Sequence, residues 1–175
     1  MTITISGAPG TGTTTVSQLL QKKLGIPYVY AGKIFREEAK RYGMSLDEFG
    51  KYCEKNPEVD KRLDEYQRDL LKKGNLILEG RISGWIAYLN NIPALKILLI
   101  ADKDTRAERI VKREGGSKEE KIHEIEEREK SEATRYRRYY NININDTSIY
   151  DLVIDTTHKT PEEIVSIIVD NIEEG

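Results

Sequence analysis

The chain has 175 residues, with 28 Lys and Arg against 30 Asp and Glu, so its formal net charge is −2. That length suits one domain of the usual ~100–200 residues, and the near-neutral balance excludes the global basic field by which proteins hold nucleic acid. One cysteine (Cys53) and two distant histidines (His123 and His158) exclude an internal disulfide, zinc ligation and a Ser-His-Asp triad.

Nor does any apolar stretch approach the ~20 residues of a membrane span. The opening MTITISG lacks the charged and apolar regions of a secretory leader. The expectation is a cytoplasmic protein, without membrane or nucleic-acid partners, acting as a monomer.

Strand and helix signals alternate. Ile3 to Ser6 predicts a strand, and Thr13 to Leu24 a helix with Val16, Leu19, Leu20 and Leu24 on one face. After Gly25, Tyr28-Val29-Tyr30 reads as a second strand and Gly32 to Tyr42 as a helix. Ser45-Leu46-Asp47-Glu48 is a capping box opening another helix. Asn56-Pro57 reads as cap and first-turn proline of the next, whose apolar positions Val59, Leu63, Tyr66 and Leu70 keep helical spacing until Gly74.

Leu76-Ile77-Leu78 and Lys96 to Ala101 predict a third and a fourth strand. Their continuous apolar runs point to parallel strands covered on both faces. Asp102 to Glu114 reads as a helix broken by Gly115-Gly116, and Ser117-x-x-Glu120 as a capping box leading a long helix to about Tyr139. Leu152-Val153-Ile154 is a fifth strand, and Thr160-Pro161-Glu162-Glu163 starts the last helix. The predicted fold class is α/β, a doubly wound five-stranded parallel sheet of the P-loop NTPase type. In such sheets ligands lie beyond the carboxyl ends of strands. Those positions are Gly7 to Thr15, Ala31 to Arg36, Glu79-Gly80-Arg81, Asp102 and Asp155.

The first of these carries the strongest signal. Gly7, Ala8, Pro9, Gly10, Thr11, Gly12, Thr13, Thr14 and Thr15 follow the P-loop spacing G-x-x-x-x-G-K-[ST], except that Thr13 replaces the lysine. Backbone N–H groups of such a loop, with the positive end of the following helix, cradle phosphates. Thr14 falls where a hydroxyl ligates the Mg²⁺ of a nucleoside triphosphate. A lysine would reach the β and γ phosphates, so the charge missing at Thr13 must come from elsewhere.

Cationic side chains recur at helical spacing. Arg106, Arg109 and Arg113 form one predicted face, and Lys121, Arg128 and Arg135 another. Guanidinium forks suit phosphate oxygens. The alternative reading is a solvated, salt-bridged helix face, since Glu108, Glu114, Glu124 and Glu132 lie at pairing distance. Glu79 is placed to orient a Mg²⁺-bound water, the alternative being a structural pair with a nearby arginine. Tyr136, Tyr139 and Tyr140 read as packing residues rather than base-stacking ones.

Together these elements resemble the nucleoside monophosphate kinases, and within them the cytidylate kinases of archaeal type, over almost all of the chain. AGKIFR at 31–36 is similar to the family's element whose arginine, here Arg36, grips the monophosphate. LEGR at 78–81 is similar to the element that puts Arg81 on the same phosphate. RAERIVKREGG at 106–116 resembles the helix entering the lid, and EEREKSEATR at 126–135 the lid exit with Arg128, Glu132 and Arg135.

The resemblance implies a helical monophosphate-binding region at about 31–74 and a lid at about 113–135. It also implies ATP as donor, Mg²⁺, and transfer to CMP and dCMP, with Arg81, Arg109, Arg113, Arg128 and Arg135 supplying charge and Glu132 facing the cytosine amine. Two alternatives are a kinase for AMP or another small metabolite, and a non-catalytic nucleotide-dependent assembly factor. The latter would call for an exposed apolar patch or a basic stripe, and the sequence shows neither.

Overall fold

The computed structural model describes residues 1–175, and the five predicted strands all form, in one parallel sheet of order β2-β3-β1-β4-β5. The central strand β1 (Thr2–Gly7) alternates Ile3 and Ile5 toward one face with Thr4 and Ser6 toward the other, and all four are buried. Helix α1 (Thr13–Leu24) covers the isoleucine face with Val16 and Leu20, and ends at Gly25 in the left-handed conformation. β2 (Tyr28–Tyr30) lies at the edge of the sheet.

Three helices follow before the next strand: α2 (Ala31–Arg41), α3 (Leu46–Lys55) and α4 (Pro57–Lys73). They close on a small core of their own, Ala39, Phe49, Cys53, Val59 and Leu63. The buried stripe of α4 continues through Gln67 and Leu71, whereas Tyr66, expected on it, is 51% exposed. A polar residue at a buried position disguised the true face. Asn56 does not cap α4 with its side chain: its Nδ2 donates to the Tyr52 carbonyl at 2.8 Å, leaving Pro57 to open the helix.

β3 (Leu76–Gly80) pairs with β1, Ile3 opposite Ile77 and Ser6 opposite Gly80. A helix not foreseen in the sequence, α5 (Ser83–Leu89), then packs Trp85 and Ile86 under the second face of the sheet with Leu76, Leu78 and Leu71. Its Gly84 N–H donates to Ser6 Oγ at 3.1 Å, which satisfies the hydroxyl buried on that face.

β4 (Leu95–Ile100) flanks β1 on the other side. α6 (Lys103–Glu114) is capped by Asp102, and α7 (Lys118–Tyr140) by the expected Ser117–Glu120 box. Gly115 and Gly116, both at positive φ, make the break between them. β5 (Leu152–Asp155) forms the far edge of the sheet, and α8 (Pro161–Glu174) packs beside α1 through Ile164, Val165 and Ile168. At about 1.5–3 kcal/mol for each fully buried aliphatic side chain, these two faces dominate the stability of the sheet. No helix is long and apolar enough to cross a membrane.

Candidate active site

A cleft opens at the carboxyl ends of β1, β2 and β3. It runs from the P-loop, past Glu79 and Arg81, to the facing sides of α2, α4 and α7. The loop has the shape that its glycines require. Gly10 lies at φ +84°, and a Cβ there would meet the Arg106 carbonyl at 2.7 Å, so no other residue fits without moving α6. Gly7, Ala8, Pro9, Gly10, Gly12, Thr13, Thr14 and Thr15 all line the cleft. Thr11 does not: it is buried, and its hydroxyl donates to the Ala8 carbonyl at 2.8 Å.

Position 13 decides the local electrostatics. Thr13 Oγ1 donates to Glu79 Oε2 at 2.6 Å, Thr14 Oγ1 donates to the same oxygen at 2.8 Å, and the Tyr28 hydroxyl donates to Oε1. Glu79 is only 2% exposed. Its partners are hydroxyls, so the expected alternative of an arginine pair does not hold. Burial, and then the Glu79 carboxylate, push the Tyr28 phenol well above its ordinary range, so it stays protonated and donating.

The predicted cations divide. Arg36, Arg81, Arg113, Lys121, Arg128 and Arg135 line the cleft. Arg36 is exposed on α2, its guanidinium 5.9 Å from the centre of the Tyr30 ring. Arg81 Nε donates to Glu132 Oε2 across the cleft. Arg135 is buried against Asp60 at 3.0 Å, over the rings of Phe35 and Tyr136.

Arg106 and Arg109 are not cleft residues. Arg106 is buried and paired with Glu129, which ties α6 to α7. Arg109, expected at the transferring phosphate, donates instead to the Gly10 carbonyl at 3.1 Å and to the Thr156 carbonyl at 2.6 Å. The predicted single face of Arg106, Arg109 and Arg113 therefore splits, because the first two residues face the P-loop and α7 rather than the cleft.

Of the positions after strands, Asp102 and Asp155 prove to be turn and cap residues. Asp102 Oδ1 accepts from the Thr105 N–H at 2.7 Å, and Asp155 Oδ1 from the Thr157 N–H at 2.9 Å. The residue beside Asp155 was the one missed. Thr156 is 1% exposed, and its hydroxyl donates to the Thr11 carbonyl at 2.8 Å, buttressing the P-loop from β5. Its place directly after the fifth strand is the signal that pointed there.

The tyrosines of α7 bind backbone and carboxylate. Tyr139 donates to the Cys53 and Glu54 carbonyls, and Tyr140 to Asp64 Oδ2 at 2.7 Å, while buried Tyr136 lines the cleft. Burial, aided by the nearby Asp60 charge, raises the Asp64 carboxyl to about 7.

The model of the cytidylate kinase-like family matches residues 2–158. The chain belongs to that family. It is 47% identical to the cytidylate kinase of Methanocaldococcus jannaschii, covering 98% of this chain and 99% of that protein. It is 48% identical to the cytidylate kinase of Pyrococcus horikoshii, covering 96% and 86%. Among solved structures, shikimate kinase from Aquifex aeolicus superimposes with a TM-score of 0.57 at 23% identity, over 99% of this chain and 97% of that one. The shikimate kinase of Acinetobacter baumannii, in complex with shikimate, reaches 0.62 at 16% identity, over 99% and 93%. These two likenesses show the P-loop kinase fold.

Within this cytidylate kinase-like chain, both ends of the cleft set cations against carboxylates. At the end formed with Ile110 and Ile125, Arg113 pairs with Glu114 at 3.5 Å and Lys121 with Glu114 and Glu124 at 3.3 Å each, the salt-bridged arrangement of the alternative reading; the end between α4 and α7 brings Asp60, Asp64 and Glu132 beside Arg81 and Arg135. Arginine held by carboxylate keeps its geometry before any ligand arrives, as a preorganised phosphate site requires.

Proposed function

We propose that this protein transfers the γ-phosphoryl group of ATP to CMP and dCMP, giving ADP and the cytidine diphosphate. The observation that carries the reading is near-full-length identity of 47% to a cytidylate kinase. In support, one cleft joins a P-loop to an arginine–carboxylate end.

In this reading the P-loop backbone holds the donor phosphates, and Arg36 and Arg81 hold the acceptor phosphate. An oxygen of that phosphate attacks the γ phosphorus in line, and the bond from γ phosphorus to the β,γ-bridging oxygen breaks. Transfer of this kind asks little covalent chemistry of the protein, so positioning and fixed positive charge supply most of the rate. Arg113, Lys121 and Arg128 bring that charge from α6 and α7, which act as a lid that excludes water around Gly115-Gly116. Arg109 acts as a brace of the P-loop rather than on the phosphoryl group.

Glu132 accepts from the exocyclic amine of cytosine, where uracil would present a second acceptor. The residues suit Mg²⁺: Glu79 is a buried carboxylate ringed only by hydroxyl donors, and Thr14 adds a hard oxygen beside it. Thr14 would hold the ion directly and Glu79 through water. Bound there, Mg²⁺ would neutralise the phosphate oxygens during transfer.

The test is separation of nucleotides after incubating the purified protein with ATP, Mg²⁺ and CMP. Formation of CDP and ADP in equal amounts is expected. ADP without CDP would mean that the cleft hydrolyses ATP or phosphorylates something else.

A further inference from the structure

The arginines read as facing the acceptor are not held alike. Arg81 is bonded to Glu132 and Arg135 to Asp60, whereas Arg36 has neither an ion pair nor a hydrogen bond from its guanidinium. What holds it is a ring: its Cζ lies 5.9 Å from the centre of Tyr30. We propose that Tyr30 is a positioning residue that holds the Arg36 guanidinium by its face, leaving the charge and the N–H edge free for the phosphate of the acceptor. This rests on the reading of Arg36 as a ligand of that phosphate, and goes beyond it in naming what sets its geometry.

The sequence builds this contact from both sides. Tyr30 ends β2 in register with Glu79, so its ring stands on the same face of the sheet as that carboxylate and lines the cleft. Gly32 lies in the first turn of α2, one turn before Arg36. A Cβ on Gly32 would meet Tyr30 Cε2 at 2.6 Å, and Cζ and Oη at 2.7 Å, so the ring fills the space of a side chain at position 32. Side chains of a helix lean toward its N-terminus, over the turn before their own Cα. Arg36 therefore leans over Gly32, where the ring lies.

The acids beside Arg36 on α2 are engaged elsewhere, Glu37 with Lys33, and Glu38 with Arg41 and Arg62. A carboxylate partner would occupy the guanidinium fork and cancel its charge, and an incoming phosphate would have to displace it. An aromatic face attracts the cation through its quadrupole and takes up none of its N–H donors. An exposed arginine also loses rotamer freedom when it binds a ligand. Confinement by the ring brings part of that loss into the free protein, so less of it opposes binding.

The test reads the contact and its effect separately. In NMR spectra of the free protein, the Arg36 side-chain resonances should carry a ring-current shift that is kept in Tyr30→Phe and lost in Tyr30→Leu. Affinity for CMP, measured by calorimetry without ATP, should fall about 2- to 5-fold in Tyr30→Leu, the range of an exposed cation–π contact, and keep its wild-type value in Tyr30→Phe. Gly32→Ala retains the ring but denies it its place, and should weaken CMP by a similar factor. The KM for ATP should not change in any of the three.

In an Arg36→Met background, Tyr30→Leu should have no further effect on CMP, because the ring acts only through the guanidinium. A loss of the same size there would mean that Tyr30 meets the ligand itself. CMP binding as weak in Tyr30→Phe as in Tyr30→Leu would mean that the hydroxyl does. Either result would overturn the proposal, as would wild-type CMP affinity in Tyr30→Leu. If Tyr30→Leu does not fold, Gly32→Ala in the two backgrounds carries the same comparison. Failure of the wild type to make CDP, with this pattern of CMP binding intact, would instead overturn only the assignment of the reaction.

Discussion

Arg135 Nε donates to Asp60 Oδ2 at 3.0 Å, with both side chains 4% exposed, so α7 and α4 are joined by a buried ion pair in the wall of the cleft. Its partners hold it from every side: Ser131 Oγ accepts from Nη1 at 3.3 Å, and the Phe35 and Tyr136 rings lie against the guanidinium. Removing one member of such a pair leaves the other buried and uncompensated. Asp60→Ala should therefore lose about 3–5 kcal/mol of stability, read as a lower urea midpoint with unchanged slope. A loss below about 1 kcal/mol, the value of an exposed pair, would show that water reaches Arg135.

Asp64 gives stability a pH dependence of unusual sign. Its folded carboxyl titrates at about 7 against an ordinary 3.8, because burial disfavours the charge and Asp60 lies nearby, while Tyr140 and Arg135 only partly offset this. Between those values the unfolded chain has released the proton and the folded chain holds it, so stability falls as pH rises through this window. Asp64→Asn keeps an acceptor for Tyr140 and has no charge to bury. It should melt several degrees above the wild type at pH 8 and by clearly less at pH 5, the gap closing only below the ordinary 3.8. The same difference at both pH values would contradict a protonated Asp64.

Arg109 is expected to matter for ATP but not for CMP. Its guanidinium holds the Gly10 and Thr156 carbonyls together, which fixes the loop without meeting the cleft. Arg109→Met should raise the KM for ATP about 10-fold, matching the loss of one charged hydrogen bond, and leave the KM for CMP within about 2-fold. A fall in kcat with unchanged KM for ATP would return Arg109 to the transferring phosphoryl group.

The contrast between Arg109 and Arg81 shows what the sequence could carry. The five strands were legible because short apolar runs bounded by glycine, proline or aspartate have few other readings, and the P-loop because its spacing is a local property. Arg81 was legible as a cleft residue because it directly follows a strand, and Arg128, Glu132 and Arg135 because helical spacing sets which side chains share a face. Helix α5 escaped because SGWIAYL spans only seven residues and follows Ile82, which has no side chain able to cap it.

Glu114 and Glu124 were legible as partners for cations of their own helices, and pair with Arg113 and Lys121, but the long-range partners were not. Asp60 lies 75 residues from Arg135, Glu79 lies 51 from Tyr28, and Arg109 lies 99 from Gly10. Such pairs follow from how layers stack, which no local pattern records. Tyr66 and Gln67 exchanged faces for the same reason: the cleft, not solvent, receives the amide.

Glu132 carries the prediction on base choice. It is 6% exposed and bonded to Arg81, so it both orients that arginine and presents carboxylate oxygen to the cleft. Glu132→Gln keeps the shape but offers uracil a donor. The ratio of kcat/KM for CMP over UMP should narrow about 10- to 100-fold, mainly by loss of CMP. An unchanged ratio with kcat/KM lowered equally for both would mean that Glu132 serves only to hold Arg81.

The most direct test of the whole account is a coupled assay of the purified protein with saturating ATP and Mg²⁺ against CMP, dCMP, UMP, AMP and shikimate, comparing kcat/KM. The account predicts that CMP and dCMP lead UMP by about 10-fold or more, the discrimination available to one mismatched buried acceptor pair, and that shikimate is not phosphorylated. A higher kcat/KM for AMP or shikimate than for CMP would contradict it.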